Sequence, residues 1–116
     1  MKPTPYFCLS TLVDHADSLQ AVRRTDVALG DRIFLRTDNS LYIVRVLEGG
    51  QCLVTGGWFD KKGVSPAMTH IRGCTWGGSS IKMDIMAACG LCVEFGNRVI
   101  TSSIRKIVVL PRFMEN

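Results

Sequence analysis

The chain has 116 residues, 47% of them hydrophobic and 21% charged. That is the length of one domain and an ordinary globular composition, which excludes a disordered chain, a collagen-like repeat and a charge-rich coiled coil. Its 14 Lys+Arg exceed its 10 Asp+Glu, and the surplus sits in residues 59–116 (Lys61, Lys62, Arg72, Lys82, Arg98, Arg105, Lys106 and Arg112), too sparsely for the basic stripe of a dedicated nucleic-acid binder.

In chain order, residues 1–29 read as an N-terminal arm. Its apolar stretch Tyr6 to Val13 is broken by Ser10 and Thr11 and followed by Asp14 and Asp17, which is no secretory signal. Leu12, Ala16 and Leu19 fall at helical spacing, with Ser10 as N-cap and Arg23-Arg24 at the C-terminal end. The pattern predicts a helix over 10–22, with an extended arm as the alternative. The longest apolar run, Ile85 to Val93, contains Gly90 and is half a bilayer crossing. The expected placement is cytoplasmic, away from membranes. Five cysteines, an odd number, fit reduced thiols better than a disulfide framework.

From Gly30 the pattern changes to short strands. Arg32 to Thr37 alternates basic and apolar, Asp38-Asn39 turns the chain, and Leu41 to Leu47 runs back, apolar on both faces apart from Arg45. Glu48-Gly49-Gly50 is the next turn, before Gln51 to Thr55. These three runs form an antiparallel meander. Gly56-Gly57 ends the third strand or bulges it, a sign of close backbone approach. Asp60 to Gly63 reads as a polar loop and Thr69 to Arg72 as an edge strand. Further runs follow at Ile81–Ile85, Leu91–Phe95, Val99–Ser102 and Ile104–Leu110, stopped by Pro111. The fold predicted is all-β: a small antiparallel barrel or sandwich of seven or eight short strands over 30–110, with a tail at 111–116. Two strands apolar on both faces predict a homo-oligomer, a dimer first, in which a second copy supplies cover.

Four motifs stand out: Thr37-Asp38-Asn39-Ser40-Leu41-Tyr42; Gly56-Gly57; Gly73-Cys74-Thr75-Trp76-Gly77-Gly78-Ser79; and Thr101-Ser102-Ser103-Ile104 with Ile107. Their succession, over roughly residues 29–109, resembles that of a loose group of short uncharacterised bacterial proteins. The resemblance implies no activity, cofactor or site residue. In that group the stretch matching Cys89–Cys92 need not hold cysteines, which speaks against an essential role for the pair.

Candidate chemistry is sparse. Gly73 and Gly78 have P-loop spacing, but Ser79 stands where the lysine belongs and a strand follows instead of a helix. The bland reading has Gly77-Gly78 turning the chain while Trp76 packs over a sheet edge. His70, Cys74, Cys89 and Cys92 make a Cys₃His set on paper, and Cys89-x-x-Cys92 also has redox spacing. In one extended strand, however, an odd separation puts those two thiols on opposite faces. Buried apolar cysteines are the simpler expectation. His15 reads as solvated, no nucleophile elbow occurs and the carboxylates are scattered singly. Arg32, Phe34 and Arg36 share one strand face, a pattern suited to stacking and backbone contact with single-stranded nucleic acid, or to an ordinary solvated face. The reading that results is a non-catalytic binding or protein-interaction module without metal or cofactor, its partner an unidentified protein or small ligand. A weak single-stranded nucleic-acid binder and a zinc or thiol protein are the alternatives.

Overall fold

The computed structural model describes residues 13, 17–76 and 81–112. The chain is all-β, as its alternation requires. Among the described residues ten strands form three antiparallel sheets. The largest has the order β10 (Ile104–Leu110), β2 (Arg32–Thr37), β3 (Leu41–Val46), β4 (Cys52–Gly56), β5 (Ala67–Thr69). A second sheet places β6 (Ile71–Thr75) between β7 (Ile81–Lys82) and β9 (Cys92–Phe95), and a third pairs β1 (Ala21–Arg23) with β8 (Ile85–Ala88). The expected meander is β2-β3-β4, extended by β5. All three sheets contribute to one core, and among the described residues they do not close into a barrel. None of the described helices is long and apolar enough to cross a membrane.

The register follows from side-chain period. Ile33 and Leu35 of β2 lie opposite Val44 and Tyr42 of β3, and Val44 lies opposite Val54 of β4. All of these point inward, where they meet Ile71 and Cys74 of β6, Met86 and Ala87 of β8, and Val93 and Phe95 of β9. The other face of the sheet carries Arg32, Phe34 and Arg36, with Phe34 opposite Ile43 on one side and Val108 on the other.

Several expectations need correction. Over 30–110, where about seven or eight strands were expected, the described residues form nine, partly because Ile81–Ile85 is not one strand: Met83 and Asp84 turn the chain between β7 and β8. Ile71–Thr75 is the centre of its sheet, not an edge, and Val99–Ser102 forms only a single bridge, Glu94 with Ile100. The helix predicted over 10–22 does not run to its end. Residues 17–20 are irregular and Ala21–Arg23 is strand β1, whose Val22 is fully buried opposite Ala87, so the β body starts ahead of residue 30. Val13 is helical, whereas residues 1–12, 14–16 (with His15) and 113–116 lie outside the described residues. Helix also occurs where a polar loop was expected, as α1 (Gly57–Lys61).

Val13 bears on the question of cover. It is buried together with Phe34 and Leu41, and the half-buried Ile43, Val108 and Leu110 pack around them. Part of the apolar outer face of β2, β3 and β10 is thus covered from within the chain, where a second copy had been expected.

Candidate functional site

The β2–β3 turn, the start of α1 and the approach to β10 come together at one end of the large sheet. The turn is closed by Thr37, whose N–H donates to the Ser40 carbonyl at 2.8 Å. The Thr37 hydroxyl accepts from the N–H groups of Ser40 (3.0 Å) and Asn39 (3.3 Å) and donates to the Ser40 carbonyl at 3.2 Å. A threonine that caps its own turn in this way leaves Asp38 and Asn39 projecting into solvent. Asp38 is tied back to the body. Its N–H donates to the Ser103 carbonyl at 3.1 Å, and its carboxylate pairs with the Arg105 guanidinium. That hydrogen bond, and then the charge of Asp38, raise the Arg105 pKa above its ordinary value.

Across from the turn, β4 runs into α1 at Gly56-Gly57. The Tyr42 hydroxyl accepts from the Trp58 N–H at 3.1 Å, and Asp60 accepts from the Gly56 N–H at 3.0 Å and from the Ser65 hydroxyl at 2.5 Å. Between these walls lies an open concavity of about 500 Å³, lined by Arg36, Asp38, Asn39, Ser40, Asp60 and Lys61 among others. The arrangement is polar and preorganised. Among the described residues, both of its carboxylates are already bonded within the fold, and neither histidine nor cysteine lines it. What it offers a ligand is hydrogen bonds from Asn39 and Ser40 and charge from Lys61.

Three of the four sequence motifs supply this end of the molecule: the Thr37–Tyr42 turn, Gly56-Gly57 and, through Ser103, the Thr101–Ile104 stretch. The fourth lies in β6, with Gly77, Gly78 and Ser79 outside the described residues, as is Ser80. Its Trp76 is 75% exposed. Asp60 and Lys61 were not singled out from sequence, where they read only as solvated loop charges. Comparisons with known protein families, curated proteins and solved structures found no match.

The residues proposed from sequence fare differently. Arg32, Phe34 and Arg36 do share a face, but Phe34 is only 2% exposed beneath Val13 and offers no ring for a base to stack on. His70 stands at the β5–β6 junction with its ring against Gly96, where a Cβ would come within 2.1 Å of it. Cys74 points into the core opposite Val93, whereas Cys92 is paired with Thr75 and so lies on the other face of β9. The Cys89 thiol, in the turn after β8, donates to the Leu19 carbonyl at 3.3 Å. Among the described residues, no three His, Cys, Asp or Glu side chains group as metal ligands, and these four are not brought together as a set.

Burial sets the order of thiol reactivity. It pushes the Cys74 thiol up to about 11 and raises that of Cys52, while Cys89 and Cys92 are half-buried. Alkylation followed by peptide mapping is expected to modify Cys52 and Cys74 more than about tenfold slower than Cys89, because the thiolate is the nucleophile and local opening must come first. Equal rates at Cys74 and Cys89 would refute this. The raised value also implies a pH dependence. A thiol that holds its proton more tightly when folded favours the folded state, so the Cys74 contribution is intact below the ordinary value of 9.0 and is lost as pH rises through about 11.

Proposed function

We propose that the chain is a small binding module, without covalent chemistry of its own, that takes a polar ligand in the concavity between the Thr37–Ser40 turn and α1. One observation carries this reading: the Thr37–Ser40 turn is closed by its own hydrogen bonds, and both carboxylates of the concavity, Asp38 and Asp60, are committed to partners within the fold. The groups that most often serve as general acid or base are imidazoles and carboxyls free to exchange a proton with substrate, and here both carboxylates are already bonded. A recognition site needs fixed donors and acceptors around a space of ligand size, and Asn39, Ser40 and Lys61 supply them. The Arg32–Arg36 face is the less favoured alternative, because its aromatic ring is covered.

The test is a ¹⁵N-resolved NMR titration with a panel of amino acids, monosaccharides and nucleosides. At least one class is expected to shift the amide signals of 37–41 and 57–61 together. Lys61→Met should weaken that ligand by about tenfold, the worth of one charge-assisted hydrogen bond. A panel that leaves those signals unmoved, or a compound converted to product during the titration, would overturn the reading.

A further inference from the structure

A second concavity, of about 470 Å³, lies away from the β2–β3 turn, with Arg24, Gly49, Gly50, His70, Arg72 and Met83 in its lining. No carboxylate among the described residues lines it, in contrast to the mixed charge of the first. Arg24 is locked in place. Its Nε donates to the Met83 carbonyl at 2.7 Å, and one Nη donates to the carbonyls of Ile71 (2.6 Å) and Arg72 (3.1 Å). These bonds orient the guanidinium but leave its charge without a carboxylate partner among the described residues. A guanidinium held by neutral carbonyls keeps its net positive charge, and Nη1 of Arg24 has no carbonyl or carboxylate partner among these bonds.

Arg72 is also fixed. Its Nη1 sits 2.6 Å from the carboxylate of Glu94, which is buried, while the arginine side chain remains 47% exposed. One carboxylate thus answers two guanidiniums. The rim at Gly49-Gly50 adds no side chain. Both residues have left-handed φ, 66° and 77°, and a Cβ at either would meet nothing within 4 Å, so it is the turn and not crowding that requires glycine there. His70, whose imidazole is seated on Gly96, and Gln51 complete the lining.

We propose that this concavity is an oxyanion site for a phosphate group, either the free ion or a phosphate monoester. Its lining comes from separate elements, Arg24 after β1, Gln51 before β4, His70 between β5 and β6, and Arg72 in β6, all of them residues with donor groups. A planar carboxylate offers two oxygens in one plane, whereas a phosphate offers three or more in different directions and suits donors arranged around it. Neither anchoring arginine has to be ordered on binding, so little affinity is lost to entropy.

The experiment titrates the full chain with inorganic phosphate, glycerol phosphate and acetate at low ionic strength, followed by ¹⁵N-resolved NMR including the Arg24 Nε–H. Phosphate is expected to shift the signals of 49–51, 70–72 and Arg24, and to bind at least about tenfold more tightly than acetate. Arg72→Gln and His70→Gln should together raise its Kd by about tenfold or more; Arg72→Gln also leaves the buried Glu94 carboxylate unpaired and lowers the melting temperature, so the Kd is read at a temperature where the variant gives the folded spectrum. Tighter binding of glycerol phosphate identifies a monoester as the ligand, and tighter binding of inorganic phosphate identifies the free ion. Acetate binding as tightly as phosphate, an unchanged Kd in the double variant, no shift at all, or shifts centred on 37–41 would each overturn the site. The last result would leave the first concavity standing, so failures of the two sites are distinguishable.

Discussion

Gly56→Ala is expected to destabilise the protein by about 3–5 kcal/mol, enough to leave it largely unfolded if its total stability is at the low end of the usual range. Two costs combine. The residue has φ 95°, which an L side chain rarely adopts. In addition, a Cβ there would lie 2.0 Å from the Leu41 carbonyl oxygen and 3.1 Å from its carbon, both backbone atoms of the paired strand. A side chain in that place could rotate away, but β3 cannot retreat without breaking its register with β4, which pairs Tyr42 with Gly56. Gly63→Ala is the internal control. Gly63 also has left-handed φ, 69°, yet a Cβ there meets nothing within 4 Å, so only the conformational cost of about 1–2 kcal/mol applies. Urea denaturation of the two variants should separate them by at least about 2 kcal/mol. Equal losses would show that crowding at Leu41 is not what requires glycine at 56.

This contrast also marks the limit of what the sequence reveals. Paired glycines after an alternating run announce close approach, and Gly56-Gly57 makes it. They do not say what approaches, because Leu41 is known to be opposite only once the register is known. Where the period was long and the turns tight, as from Arg32 to Thr55, strands and order were legible. The split between β7 and β8 was not, because Ile81, Met83 and Ile85 keep perfect alternation through a turn at Met83-Asp84. The five residues of α1 are fewer than two helical turns and show no period at all. At the candidate site the turn chemistry of Thr37 to Ser40 was legible, whereas the part played by Asp60 depends on Gly56 and Ser65 coming to it in space. The shared face of Arg32, Phe34 and Arg36 was legible too. That Val13 would cover it was not, since periodicity assigns side chains to faces without saying which face is covered.

Phe59→Ala is expected to cost about 3–5 kcal/mol, and to disturb the concavity as well as the core. Phe59 is the one buried residue of α1 and is fully enclosed. Its ring meets Phe95 of β9 edge-on at 5.2 Å and Tyr42 of β3 at 6.2 Å, so it joins the large sheet to the three-stranded one. Trp58 stacks edge-on against it at 5.4 Å, with the Lys62 ammonium 6.0 Å above the indole. A five-residue helix has almost no stability of its own, since nucleation is costly and few hydrogen bonds are gained. Packing of Phe59 therefore holds α1 in place, and with it Asp60 and Lys61 at the rim of the concavity. Truncation to alanine leaves a void among three aromatic rings, whereas Phe59→Leu keeps most of the volume and should cost well under half as much. The distinguishing readout is hydrogen exchange. The amides of Lys62 and Val64, which donate to the Trp58 and Phe59 carbonyls at 3.0 Å, should lose protection in Phe59→Ala while those of β2 and β3 keep theirs. A variant that loses less than about 1 kcal/mol, or in which those amides stay protected, would mean that α1 is held by its Tyr42 and Asp60 hydrogen bonds and not by the buried ring.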